Sequence, residues 1–206
     1  MESKFKIPAI IFCILLPCGL FPLKASEVSI QKVNVPPQSV EDASHSYLQI
    51  SIAGEIYRCA TLDNWGLIDN VYGYDFVAAP PAGLSGFVGL RIETFVDKEG
   101  KPILVFTTEL LEAQLKRLKP EGQTYEGATP TVSDGATTLD IDFIRTDTQQ
   151  SWKCHYSLQI VEGKLRTFAC EARPDHYTQL FSKYVLLMGT FCKPPPPDEV
   201  PSSTRP

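Results

Sequence analysis

A mixed α+β domain with a mostly antiparallel sheet is the fold class this sequence predicts, and three observations lead to it. Residues 138 to 172 form three alternating runs, Thr138 to Arg145, Ser151 to Val161 and Lys164 to Ala172, each with the period of two that marks a strand. In the second run Trp152, Cys154, Tyr156, Leu158 and Ile160 make an apolar face, while Lys153, His155, Ser157 and Gln159 make a wet one. After Pro174 the period changes. Tyr177, Leu180, Phe181, Tyr184, Val185, Met188 and Phe191 recur at helical spacing, which predicts an amphipathic helix from about Pro174 to Phe191, laid on that apolar face.

The N-terminus reads as an export signal over residues 1–25. Lys4 and Lys6 precede an apolar run from Ile7 to Phe21, and Ala25 supplies the small residue for cleavage before Ser26. Pro8, Pro17 and Gly19 interrupt the run, which falls short of the roughly 20 residues of a spanning helix. Cys18 offers an alternative, acylation as a lipoprotein, but Leu16-Pro17 before it and Gly19-Leu20-Phe21 after it depart from that signal. Membrane association is expected only if Cys18 is lipidated or the signal stays uncleaved. The segment holds three lysines and one glutamate, so cleavage takes the formal charge from −5 to −7 over the remaining 181 residues. Such a chain lacks the clustered cations that nucleic acid requires, and its length suits one domain.

The other elements follow in order. Ser26 to Ser46, polar and holding Pro36-Pro37, reads as a leader or linker before a domain spanning residues 47–192. Tyr47 to Ile52 and Glu55 to Thr61 read as a hairpin around Ala53-Gly54, and Trp65 follows in a turn-rich segment. Tyr74 to Ala79 and Phe87 to Val96 read as strands, and Ile103 to Phe106 as a short strand or helix entry. A helix begins near Thr108, with Leu111, Leu115 and Leu118 on its apolar side, and ends at Pro120. Gly122 to Gly135 reads as loop or weak strand. The run from Pro194 to Pro197 is extended polyproline, within a disordered tail over residues 193–206.

With the signal removed, Cys59, Cys154, Cys170 and Cys192 remain, an even set that suits an oxidising compartment and permits two disulfides. A three-residue loop Val161-Glu162-Gly163 pairs Ile160 with Lys164 and puts Cys154 directly opposite Cys170, with Tyr156 beside Phe168 and Lys153 opposite Glu171. A two-residue loop, Glu162-Gly163, puts the two cysteines on opposite faces instead. Buried free thiols are the other reading. Cys59 and Cys192 would pair by elimination.

The element order resembles a known superfold. A segment from Tyr57 to Trp65, a central helix, Leu139-Asp140-Ile141-Asp142-Phe143, Trp152 to Ile160, the run from Gly163 to Phe168 and a closing helix ending Gly189-Thr190-Phe191 resemble the superfold of PsbP, DcrB and the Ran-binding import factors. The resemblance covers about residues 47 to 192. It implies an α-β-α sandwich around a mostly antiparallel sheet. It implies no chemistry, since members serve as photosystem accessory proteins, envelope lipoproteins and transport-factor binders.

Residues that could carry chemistry are sparse. His155 reads as a solvent-facing histidine, and Asp175-His176 as the first turn of a helix. Asp140, Asp142 and Asp147 lack the turning backbone and ligand number of a calcium loop. There is no Gly-x-Ser-x-Gly, His-Glu-x-x-His or phosphate loop, so neither catalytic residue, metal site nor cofactor is expected. Trp65, Tyr72, Tyr74 and Phe76 read either as core or as a partner-facing aromatic patch. The expectation is an exported, periplasmic or secreted, non-catalytic protein that binds or helps assemble a protein partner. The alternatives are a lipoprotein anchored through Cys18 and a hydrolase or metal-dependent enzyme with scattered residues.

Overall fold

The computed structural model describes residues 27–36, 45–119, 121–147 and 150–194. The segment expected to be an export signal, with Cys13 and Cys18, and the tail beyond residue 194 lie outside the described residues. Among the described residues twelve elements run in the order β1 (Val28–Val35), β2 (His45–Ile52), β3 (Glu55–Ala60), β4 (Gly66–Val71), β5 (Tyr74–Ala79), β6 (Gly86–Thr94), α1 (Thr108–Leu118), β7 (Thr124–Glu126), β8 (Thr138–Thr146), β9 (Ser151–Val161), β10 (Lys164–Ala172) and α2 (Tyr177–Thr190). They form a three-stranded sheet, β1-β2-β3, and a seven-stranded one, β4-β5-β6-β10-β9-β8-β7. Every strand pair is antiparallel. The fold is α+β, as the alternation predicts.

Each face of the large sheet has its own core. On one face Phe76, Val88, Leu90, Phe168 and Cys170 meet Leu48 and Ile50 of the small sheet and Leu180, Tyr184 and Leu187 of α2. On the other, Ile141, Phe143, Cys154, Tyr156, Leu158 and Leu165 meet Leu111 and Leu118 of α1. The apolar face of β9 is therefore covered by α1, and α2 lies on the face that reads as wet. Ser157, on that face, is 2% exposed. The stripe of α2 is correspondingly rotated: Tyr177, Leu180, Tyr184 and Leu187 are buried, whereas Val185 is 47% exposed.

Capping sets the helix ends. Thr107, one residue before the expected Thr108, accepts a hydrogen bond from the Leu110 N–H at 3.3 Å and opens α1. At the other end of α2 the Thr190 hydroxyl donates to Leu186 O at 2.7 Å and accepts from the Ala60 N–H at 2.9 Å, tying the helix to β3.

Three expectations are corrected. The leader assignment over residues 26–46 misses β1, which pairs with β2 from Val28↔Ile52 to Val35↔His45 and buries Val28. The turn-rich segment after Trp65 contains β4, an edge strand whose polar residues conceal its alternation. The β9–β10 loop has two residues, not three: Glu162 and Gly163 both hold positive φ, 54° and 70°, a type I′ hairpin that matches strand twist. Lys164 consequently pairs with Val161. Cys170 then lies opposite His155, and Cys154 opposite Glu171.

This one-residue change moves every side chain of one strand to the other face. Cys154 belongs to the α1 core and Cys170 to the α2 core, so the expected Cys154–Cys170 disulfide is not formed. Cys59 and Cys192 are also free. The backbone bridge near them joins Arg58 to Cys192, leaving Cys59 one residue out of step and buried in the α2 core.

Candidate functional site

On the α1 side of the large sheet, α1 covers the end near Leu165, Ile160 and Leu139 and leaves a cavity toward the other end. Its volume is about 600 Å³. The sheet makes this depth with small residues. Val77, Gly89, Ala169 and Tyr156 stand in one row across β5, β6, β10 and β9, with Gly89 and Ala169 at its centre. The Tyr74 ring lies over Gly89, and a Cβ there would come within 3.0 Å of it. At Gly86 φ is +143°, and a Cβ would stand 2.3 Å from Glu171 O, so glycine alone fits beside the cavity's acid.

The walls are aromatic and cationic. Tyr72, Tyr74, Phe87 and Trp152 supply rings, and Arg91, Arg117 and Arg145 supply guanidiniums, with Glu171 the lining acid. Glu171 is 6% exposed and doubly held: Arg145 Nη2 is 2.8 Å from Oε2, and the Tyr156 hydroxyl donates to Oε1. Arg117 grips Glu93 with both Nη atoms, at 2.6 and 2.9 Å, while Arg91 Nε stands 3.5 Å from the same carboxylate. The Arg145 guanidinium also lies 5.8 Å from the Trp152 ring.

Burial dominates the electrostatics. It pushes the Tyr74 and Tyr156 hydroxyls well above the usual phenol range, helped by the negative charge of Glu171. The Cys154 thiol is pushed up to about 12, again by burial and then Glu171. Burial lowers Arg91 from the ordinary arginine value. For Arg145 burial acts downward, but the charge of Glu171 prevails and holds it up. For Glu93 burial acts upward, and the Arg117 hydrogen bonds with the Arg91 charge bring it down. These groups can hold charge and donate hydrogen bonds. None of these shifts tunes a group for proton exchange near neutral pH.

The residues singled out in the sequence are dispersed. Phe76 is fully buried in the α2 core, and Trp65 packs against that core. Tyr74 and Tyr72 both wall the cavity against Phe87, Tyr72 from the tip of the β4–β5 hairpin, where it is 81% exposed. The four therefore divide into two pairs, one at the cavity and one at the α2 core. His155 is not solvent-facing: its Nδ1 is 2.8 Å from Asp142 Oδ1, and its ring meets Phe181 and Tyr184 edge-on beneath α2. His176 precedes α2, where its Nδ1 accepts from the Ser85 N–H at 3.0 Å. Among the described residues no group of three or more His, Cys, Asp or Glu side chains could hold a metal ion. Sequence reading missed Arg91, Arg117, Arg145 and Glu171. Glu171 after Ala169 on β10 and Arg145 after Phe143 on β8 each break an apolar row, whereas Arg91 and Arg117 carry no such signal.

No protein-family model matches the chain, and no curated protein matches it in sequence. Its fold is similar to the solution structure of cyanobacterial PsbP, CyanoP, from Synechocystis sp. PCC 6803, at 14% identity over 87% of this chain and 99% of that one, with a TM-score of 0.48. A crystal structure from Bacteroides thetaiotaomicron VPI-5482 is similar at 8% identity over 68% of this chain and 45% of that one, with a TM-score of 0.39. These two likenesses are of overall architecture and carry no activity with them.

Proposed function

We propose that this chain is an exported, non-catalytic binding protein that serves as an accessory or assembly factor for a protein partner, and that the β4–β5 hairpin makes the contact. The observation that carries this reading is Tyr72. It is 81% exposed, with φ at 55° in a two-residue turn with Gly73, a left-handed conformation that costs a non-glycine residue about 1–2 kcal/mol. Ile68 on the same hairpin is 44% exposed. A tyrosine held out on a tight turn brings contact area at small entropic cost, which is why such residues dominate interface energetics. The shifts at the adjoining cavity support binding over acid–base chemistry. The N-terminal pattern supports export.

A photo-crosslinking residue placed at Tyr72, with a control at Leu104, 63% exposed, tests the contact in the native host. A discrete adduct at Tyr72 that is missing at Leu104 is expected, and Tyr72→Ser should abolish co-purification of that partner without lowering the melting temperature. Identical adducts at both positions, or none at Tyr72, would overturn the reading. Intact mass of the exported protein tests processing: a chain beginning at Ser26 is expected, and one beginning at Cys18 with acyl mass would favour the anchored alternative.

A further inference from the structure

Charge is concentrated beneath the cavity without being used up there. A buried ion pair adds little net stability over apolar residues of the same volume, so the Arg145–Glu171 pair under a concave opening, beside the more exposed Arg117–Glu93 pair, calls for another reason. The acids around the cavity are each engaged. Glu171 is held by Arg145 and Tyr156, Glu93 is gripped by Arg117, and Asp75 Oδ2 accepts the Ile92 N–H at 2.7 Å. The cations are not saturated. Arg91 Nε, 3.5 Å from Glu93, Arg91 Nη2 and Arg145 Nε are covered and make no hydrogen bond among the described residues, and the same holds for the hydroxyl of Thr167, the register partner of Arg91, so a ligand uses these atoms only by displacing what covers them. The void is lined by guanidinium and aromatic ring, Arg91, Arg117 and Arg145 among Tyr74, Phe87 and Trp152, and by Glu171, which Arg145 and Tyr156 hold.

We infer that this cavity binds a small organic carboxylate with an apolar or aromatic body, its carboxylate held by Arg91 and its body against Phe87 and Trp152. A planar guanidinium matches a planar carboxylate, and ring walls need a body that bare inorganic anions lack. The volume, about 600 Å³, suits a ligand of this size. The inference goes beyond the hairpin contact and does not depend on it, since it stands on Arg91 and Trp152 rather than on Tyr72.

Two-dimensional NMR on the mature chain tests it, with the Trp152 indole N–H and the Gly89 amide as reporters. The probes are 3-phenylpropionate, its neutral amide 3-phenylpropionamide, inorganic phosphate, and a blocked Phe-Glu dipeptide. Saturable shifts at both reporters are expected with 3-phenylpropionate, with the amide weaker by roughly tenfold or more, the loss of one charge-assisted contact. Arg91→Gln should weaken binding by about the same factor at unchanged melting temperature. Should that variant not fold, Arg117→Ala, which frees Glu93 to take Arg91, should weaken binding likewise. Equal binding of the amide would overturn the role of charge, and binding of phosphate without the acid would overturn the apolar body. Binding of the dipeptide alone would replace the free acid with a peptide side chain. No saturable shift with any probe, or undiminished binding by Arg91→Gln, would overturn the site.

Discussion

Cys170 stands across the β9–β10 ladder from His155, and the Cys154 side chain is on the opposite face of the same sheet. No rotamer change joins two thiols separated by a sheet. Native alkylation at mildly alkaline pH should label Cys192, the exposed thiol, and spare Cys59, Cys154 and Cys170, which burial pushes up to about 12. After denaturation without reductant all four should label. A mass-mapped Cys154–Cys170 crosslink would refute the two-residue turn.

Removing one partner of the buried pair should be costly. Arg145→Met takes the cation from the Glu171 carboxyl at 6% exposure, and loss of one partner of a buried pair typically costs about 3–5 kcal/mol. Adding Glu171→Gln should restore much of it. Urea unfolding of the two single variants and the double variant measures the coupling, and simple additivity would contradict the pairing.

The rotated stripe of α2 reorders its substitutions. Tyr184 is fully buried in the core, so Tyr184→Ala should cost about 3–5 kcal/mol, as large aromatic truncations do. Phe181 is half-buried, stacked on Tyr177 and Tyr184, and its truncation should cost roughly 1–3 kcal/mol. Val185→Ala, at an exposed site, should stay within about 0.5 kcal/mol. Thermal melts that put Val185 level with Tyr184 would contradict the orientation of the helix.

Acid should loosen the join between the two sheets. Glu55 on β3 pairs with Lys164 on β10, and the hydrogen bonds from Lys164 and Tyr57 bring its carboxyl down to about 2. A carboxyl lowered on folding contributes stability that is fully present above its unfolded value near 4.5 and is lost as pH falls toward 2. Partial exposure makes this contribution modest. Melting temperature against pH should therefore fall less steeply between those limits for Glu55→Gln than for the native chain. Parallel curves would show that the pair contributes nothing.

The local pattern by itself determined β8, β9, β10 and both helices, because alternation and helical spacing are written in neighbouring residues such as Trp152, Cys154 and Tyr156. It determined the α+β class for the same reason. It did not determine β1 or β4, whose polar edge residues acquire strand geometry by pairing with β2 and β5. The hairpin register was open between two loop lengths, and the backbone at Glu162 and Gly163 decided it. Which helix lies on which face was likewise a tertiary matter, since both faces of the large sheet offer apolar rows. The cavity was the least legible. Arg91, Arg117, Arg145 and Glu171 come from four separate elements, β6, α1, β8 and β10. Their convergence needs the ladder that sets Gly89 beside Ala169, and no spacing along one strand encodes a neighbour on the next.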